Sequence, residues 1–145
     1  MQRFNERIIK VDNHKKLMHL KCLSLRQPYA ELVAQGRKTI ETRRWNTSFR
    51  GKFLIHASKA IEKEISAFLN VDCSKLAKGA IIVIAYLYDV KRYTSKEDFL
   101  ADKAFHLSDN FSIPKYGFLL KDAKKLNEPI PVLGRLGFFV HGSDS

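Results

Sequence analysis

The sequence predicts an α+β domain, a small curled sheet or barrel with two or three short helices on its flanks. Three observations predict it. Apolar runs suited to strands recur from residue 22 to residue 140. The helical stretches between them are short. The two kinds of segment do not follow one another in strict βαβ alternation. A chain of 145 residues fits one domain and can bury a core without disulfide or metal staples.

Taken in order, residues 1–19 form a mixed basic segment whose apolar members, Phe4, Ile8, Ile9 and Val11, keep no period. They read as an N-terminal extension. CLSL (22–25) is a short buried strand. Pro28 suits the first helical position, where its missing N–H costs nothing. Tyr29, Leu32 and Val33 follow at helical spacing, and Gly36 ends the helix. Lys38–Trp45 is rich in strand formers. KFLIHAS (52–58) alternates, with Phe53, Ile55 and Ala57 on one face and Leu54, His56 and Ser58 on the other.

AIEKEISAFL (60–69) places Ile61, Ile65, Phe68 and Leu69 on one helical stripe. AIIVIAYLYDV (80–90) is β-branched and nearly continuous, as a strand covered on both faces should be. Thr94 and Glu97 form a capping-box pattern ahead of Phe99 and Leu100. YGFLL (116–120) and LGFFV (136–140) read as closing strands. Two prolines bar the EPIPV segment between them from a central strand position. Residues 142–145 are a tail.

Composition narrows the class. Hydrophobic residues make up 45% and charged residues 28%, a globular profile. The longest apolar run, AIIVIAYLY, is less than half the roughly 20 residues a membrane-spanning helix needs. The charged N-terminus lacks the apolar region of a secretory signal. Cys22 and Cys73 are the only cysteines; they predict reduced thiols in the cytoplasm. Neither lies in a zinc-binding spacing, so no metal or other cofactor is expected. The net charge of +11, from 26 Lys plus Arg against 15 Asp plus Glu, favours polyanionic partners, nucleic acid first among them.

Four segments then carry a resemblance: SLRQPY (24–29), GRKTIETR (36–43), HASK (56–59) and GRLGF (134–138). In this order and at this spacing they resemble the ASCH domain, a β-barrel module related to the PUA and EVE domains. The likeness covers nearly the whole chain, so residues 20–141 are assigned to a PUA-like ASCH domain. The resemblance implies a partly open, small curled β-barrel with a cleft beside the G-x-K-x-x-E-x-R strand, here Gly36–Arg43. Relatives are thought to bind RNA or DNA. A few are enzymes, some resembling ribonucleases and one branch hydrolysing N4-acetylcytidine with a Lys-Thr-Glu set.

Residue chemistry gives an independent reading of that strand. If Ile40 faces the core, then Thr39, Glu41, Arg43 and Trp45 share the opposite face. Arg43 offers a planar fork for a phosphate or a base edge, Glu41 an acceptor for an exocyclic amine, and Trp45 a stacking surface. Lys38 follows the turn. Arg26 and Gln27 precede a helix start, where open backbone N–H groups attract anions. His56 is either a donor or proton shuttle of the cleft or a half-exposed strand histidine; Lys59 follows it, and Ser58 reads as a helix cap. Tyr116 either walls the cleft or fills the core. A plain surface pairing of Glu41 with Arg43, and a rim position for Trp45, are the alternatives. Lys115, Lys121, Lys124, Lys125 and Arg135 read as singly solvated charges that together extend a phosphate-tracking surface.

Two functions follow. The first is a module binding RNA or single-stranded nucleic acid through Arg26, Gln27, Lys38, Glu41, Arg43, Trp45, His56, Lys59 and Tyr116. The second is a small hydrolase, a ribonuclease or an amidohydrolase on a modified cytidine nucleoside, with Lys38, Glu41 and His56 as catalytic groups. Glu41 stands where the acetylcytidine branch has its threonine, and Thr42 is one residue late, which turns it to the other face.

Overall fold

The structure, a computed structural model, describes residue 17 and residues 19–140. Its strands are β1 (Lys21–Gln27), β2 (Ile40–Arg43), β3 (Gly51–Ile61), β4 (Ala80–Tyr93), β5 (Lys115–Pro131) and β6 (Phe138–Val140). Among the described residues, four short α-helices lie between them, α1 (Tyr29–Ala34), α2 (Lys63–Phe68), α3 (Lys96–Ala101) and α4 (Lys103–His106), together with a 3₁₀ turn at Cys73–Lys75. The strands form one six-stranded sheet in the order β2-β5-β4-β3-β1-β6. β1 and β3 pair in parallel, and the other neighbours are antiparallel.

The sheet is curled but not closed, so the barrel expected from the sequence is replaced by an open one. Its outer strands are too short to make a seam of hydrogen bonds: β2 has four residues and β6 three. Side chains fill the gap instead. Trp45, just beyond β2, packs edge-on against Phe118 at 5.3 Å and against Phe138 of β6 at 5.8 Å. The curl itself follows from β4 and β5, whose register shifts between Ile81 and Val83, Ile84 and Tyr86, and Leu87 and Asp89. Such bulges bend and twist a strand pair.

Two cores result. The concave face buries Leu23, Leu25, Phe53, Ile55, Val83 and Phe118 together with Ala30 and Val33 of α1. The convex face carries a smaller cluster of Cys22, Leu54, Ile81, Leu126 and Phe139, which also includes Leu17. Apart from Leu17 and His19, the expected N-terminal extension lies outside the described residues, as does the tail at 142–145.

Several boundaries differ from the sequence expectation. Pro28 is the residue before α1, not its first, and its carbonyl accepts from the Leu32 N–H at 2.9 Å. Gly36 ends that helical segment with φ +77°, a left-handed conformation natural to glycine. β3 runs on through Ile61, so α2 starts at Lys63 and not at residue 60. The helix cap expected at Thr94 falls on Ser95, whose Oγ accepts from the Asp98 N–H. β5 continues through both prolines of EPIP. This is possible because β2 pairs only with Tyr116–Leu119, which leaves the rest of β5 on a free edge where no outer neighbour needs a donor.

Candidate functional site

β2 is an edge strand, and a cleft of about 500 Å³ opens beside it, lined among others by Tyr29, Thr42, Glu62, Phe68, Ser108 and Lys115. The loop after α4 forms one wall. It is set by His106, which is fully buried, stacked on Phe99 at 4.0 Å and hydrogen-bonded through Nε2 to the Phe99 carbonyl at 2.7 Å. A carbonyl only accepts, so Nε2 carries the proton and Nδ1 is left to accept the Ser108 N–H at 3.1 Å. Burial holds the imidazole below its ordinary pKa, which keeps this neutral tautomer.

Beneath the cleft lies a charged network. Lys38, 2% exposed, donates to the His106 carbonyl at 2.6 Å, sits 3.4 Å from Glu41 Oε1, and has the Tyr29 ring 4.4 Å away. Arg43 donates Nε to Glu41 Oε2 at 2.8 Å and Nη2 to the Ser24 carbonyl at 2.6 Å. Burial lowers the Lys38 pKa, against the opposing pull of Glu41; the same burial, with Glu62 and Glu41 nearby, raises the Tyr29 phenol to about 12.

The face assignment of β2 is corrected here. Glu41 pairs opposite Phe118, a member of the concave core, so Glu41 and Arg43 point into the curl. Ile40 lies on the convex side, where it and Tyr93 both border Gly117. The arginine that the sequence offers to a phosphate is therefore already occupied by Glu41 and a backbone oxygen.

The other expected site residues do not converge on this network. Gln27 is fully buried, donating to the Ala77 carbonyl at 2.9 Å and accepting the Glu31 N–H at 3.0 Å, so the open helix N–H proposed as an anion site is taken. Arg26 is exposed and tied to Glu62 at 2.6 Å. Trp45 is a seam residue, 6.0 Å from the Arg43 guanidinium. Tyr116 packs on the concave core and borders a separate depression with Asn46, Arg50 and Arg92.

His56 and Lys59 line a third hollow, of about 390 Å³, beneath residues 132–136. His56 donates Nε2–H to the Val132 carbonyl at 2.9 Å and faces Ser24 Oγ through Nδ1 at 2.9 Å; burial lowers its pKa. Gly134 covers this pair so closely that a Cβ there would lie 2.7 Å from Ser24 Oγ and 2.8 Å from His56 Cε1. Ser24 and His56 are cross-strand partners, two register positions from Cys22 and Leu54 of the convex cluster and therefore on the same face. The sheet thus separates His56 from Glu41, and the hollow that His56 lines includes neither Lys38 nor Glu41. Ser58 hydrogen-bonds only weakly at 3.5 Å to Ala60 and caps no helix.

Sequence reasoning missed Tyr29, Thr42, Phe68 and Lys115 as cleft residues. Lys115, read as a solvated charge, is 6% exposed. Its neighbours in sequence give no hint of this, because the cover comes from distant segments.

The ASCH domain model matches residues 23–130. The chain belongs to the ASCH domain family. ASCH from Zymomonas mobilis superposes with a TM-score of 0.61 at 16% identity, over 86% of this chain and 88% of that one. A serine-to-alanine mutant of that protein gives 0.61 at 17% identity, covering 88% and 92%. A tyrosine-to-phenylalanine mutant of it gives 0.61 at 16%, covering 86% and 91%. At these identities the ASCH structures establish the fold. No curated protein matches the sequence. The ASCH family is PUA-like and is associated, as a family, with nucleic-acid binding. In this ASCH domain no helix among the described residues is long and apolar enough to cross a membrane, and no group of three metal-ligating side chains occurs among them.

Proposed function

We propose that this ASCH domain binds RNA or single-stranded nucleic acid along the cleft beside β2. One observation carries the reading: the cleft joins an aromatic rim to a cation, with Phe68 77% exposed at its edge and Lys115 in its wall. A base has a face to stack on a ring, and a phosphate seeks an ammonium. The +11 charge of the chain supports long-range attraction of such a ligand. Cys22 and Cys73 are both buried and form no disulfide with each other, which fits the reducing cytoplasm we assign to the protein.

A hydrolase using Lys38, Glu41 and His56 has less support. The first two groups are committed to holding β2 and the α4 loop, and the third lies across the sheet.

The test is binding of a labelled single-stranded RNA over a salt series, wild type against Phe68→Ala, with the RNA checked for integrity afterwards. Each phosphate contact contributes about −0.7 to the log–log salt slope. Phe68→Ala is expected to weaken binding by about 1–3 kcal/mol at unchanged slope. Equal, weak binding by both proteins overturns the reading, and cleaved RNA revives the enzyme.

A further inference from the structure

Two lysines are buried beside the cleft, and the fold treats them differently. Lys38 is satisfied by the His106 carbonyl and by Glu41. Lys115 lines the cleft, yet its ammonium makes no hydrogen bond or ion pair to any described residue; only the Phe99 ring faces it, at 5.9 Å. Lysine is almost never buried without a partner, because stripping water from the ammonium costs more than a ring face returns.

The charges around it sharpen the point. On the cleft walls Glu62 is held by Arg26 at 2.6 Å and Asp109 by Lys103, while Glu64 is exposed to solvent. Underneath, Lys38 and Arg43 already share Glu41. Among the described residues, the carboxylates beside the cleft are committed or exposed, and Lys115 remains as surplus positive charge. Burial and the nearby Arg44 both push its pKa down, and Glu41 only partly opposes them. An anion entering the cleft would reverse that balance.

We infer that Lys115 is the phosphate-binding group of the cleft, taking the phosphate of a single seated nucleotide with the Thr42 hydroxyl beside it. The inference rests on the nucleic-acid reading above and narrows it. The cleft volume, about 500 Å³, falls in the small-ligand range of roughly 300–1,000 Å³, suited to one nucleotide at the end or in the middle of a strand. Tyr29 and Phe68 line the same cleft and offer rings to its base.

The experiment compares two short RNAs of one sequence, one with a 5′-phosphate and one with a 5′-hydroxyl, each labelled at the 3′ end. The proteins are wild type, Lys115→Met, Lys115→Arg and the exposed-lysine control Lys52→Ala. A terminal phosphate on Lys115 predicts that wild type prefers the phosphorylated RNA by about tenfold, the scale of one hydrogen bond to a charged group. Lys115→Met then erases the preference and Lys115→Arg keeps part of it. An internal phosphate predicts equal affinity for both RNAs and an equal loss, about tenfold, in Lys115→Met. Both results uphold the site. Lys115→Met binding both RNAs as Lys52→Ala does would overturn it.

Should wild type bind neither RNA, the nucleic-acid reading fails and the site is judged with inorganic phosphate alone. Phosphate that raises the melting temperature of wild type but not of Lys115→Met upholds it; equal shifts overturn it. Without ligand, Lys115→Met should melt no lower than wild type, since it removes an unpaired buried charge. A marked drop would show that the fold itself uses Lys115, and would also overturn the assignment.

Discussion

The Arg43 guanidinium lies 2.6 Å from the backbone oxygen of Ser24, although their strands, β2 and β1, are separated in the sheet by β5, β4 and β3. The contact exists because the sheet curls back on itself, and it bridges the concave side. Arg43→Ala is expected to cost about 2–3 kcal/mol, since it removes hydrogen bonds to a carboxylate and a carbonyl together. Urea unfolding measures this. Arg43→Lys should recover only part, because one ammonium cannot serve both acceptors with the same geometry. A loss within error of zero would mean that the bridge is incidental.

Lys38 and Glu41 form the most enclosed ion pair of the network, with side chains 1% and 10% exposed. Lys38→Met should destabilise by about 3–5 kcal/mol, because it orphans the His106 carbonyl and weakens the compensation of Glu41. Combining it with Glu41→Gln should cost less than the two separate losses summed, by about 0.5–3 kcal/mol. Strict additivity in this double-mutant cycle would contradict direct coupling.

Stability should fall as pH drops below the ordinary histidine value of 6.5, because burial depresses both His106 and His56. In the window between that value and the lower folded values the unfolded chain binds more protons than the folded one. Unfolding free energy therefore rises with pH there, is fully present above it, and is lost below it. Protonating His106 must also break the Ser108 N–H bond beside Lys38. Asp102, depressed by Lys91 and Tyr93, acts in the same direction only below about 3.8. Urea midpoints at pH 7.5, 6.5 and 5.5, taken as roughly one-unit steps around the reference value, should decline in order; a flat profile would rule out the buried neutral histidines.

Gly134→Ala should destabilise by about 1–3 kcal/mol, since the new methyl overlaps Ser24 Oγ and His56 Cε1. Thermal unfolding reads the loss, and Ser24→Ala in the same chain should relieve part of it. If Gly134→Ala melts like wild type, residues 132–136 do not press on the pair as described.

Sequence patterns read locally made much of this fold legible. Alternation in KFLIHAS correctly divided Phe53 and Ile55 from Leu54 and His56, which belong to opposite faces. Alternation could say that Glu41 and Arg43 share a face, but not which face is concave. Ile40 looked like the core residue because it is apolar, and a second apolar environment, around Tyr93, was available to receive it. The prolines of EPIP marked an edge but not the end of a strand, since the length of β2 decides where the edge begins. Lys115 carries no local sign of burial. The Phe99 ring that faces it comes from α3, and the other residues lining its cleft, Tyr29, Phe68 and Ser108 among them, come from segments far apart in the chain.

The seam between β2 and β6 also has an optical consequence. Trp45 is the only tryptophan in the chain, and it stands edge-on to Phe118 and Phe138 where the two outer strands meet. Its emission is therefore a built-in gauge of that junction. A red shift before the helices melt would mean that the curl unrolls from its rim inward, and a shift upon adding RNA would mean that filling the cleft is felt at the seam.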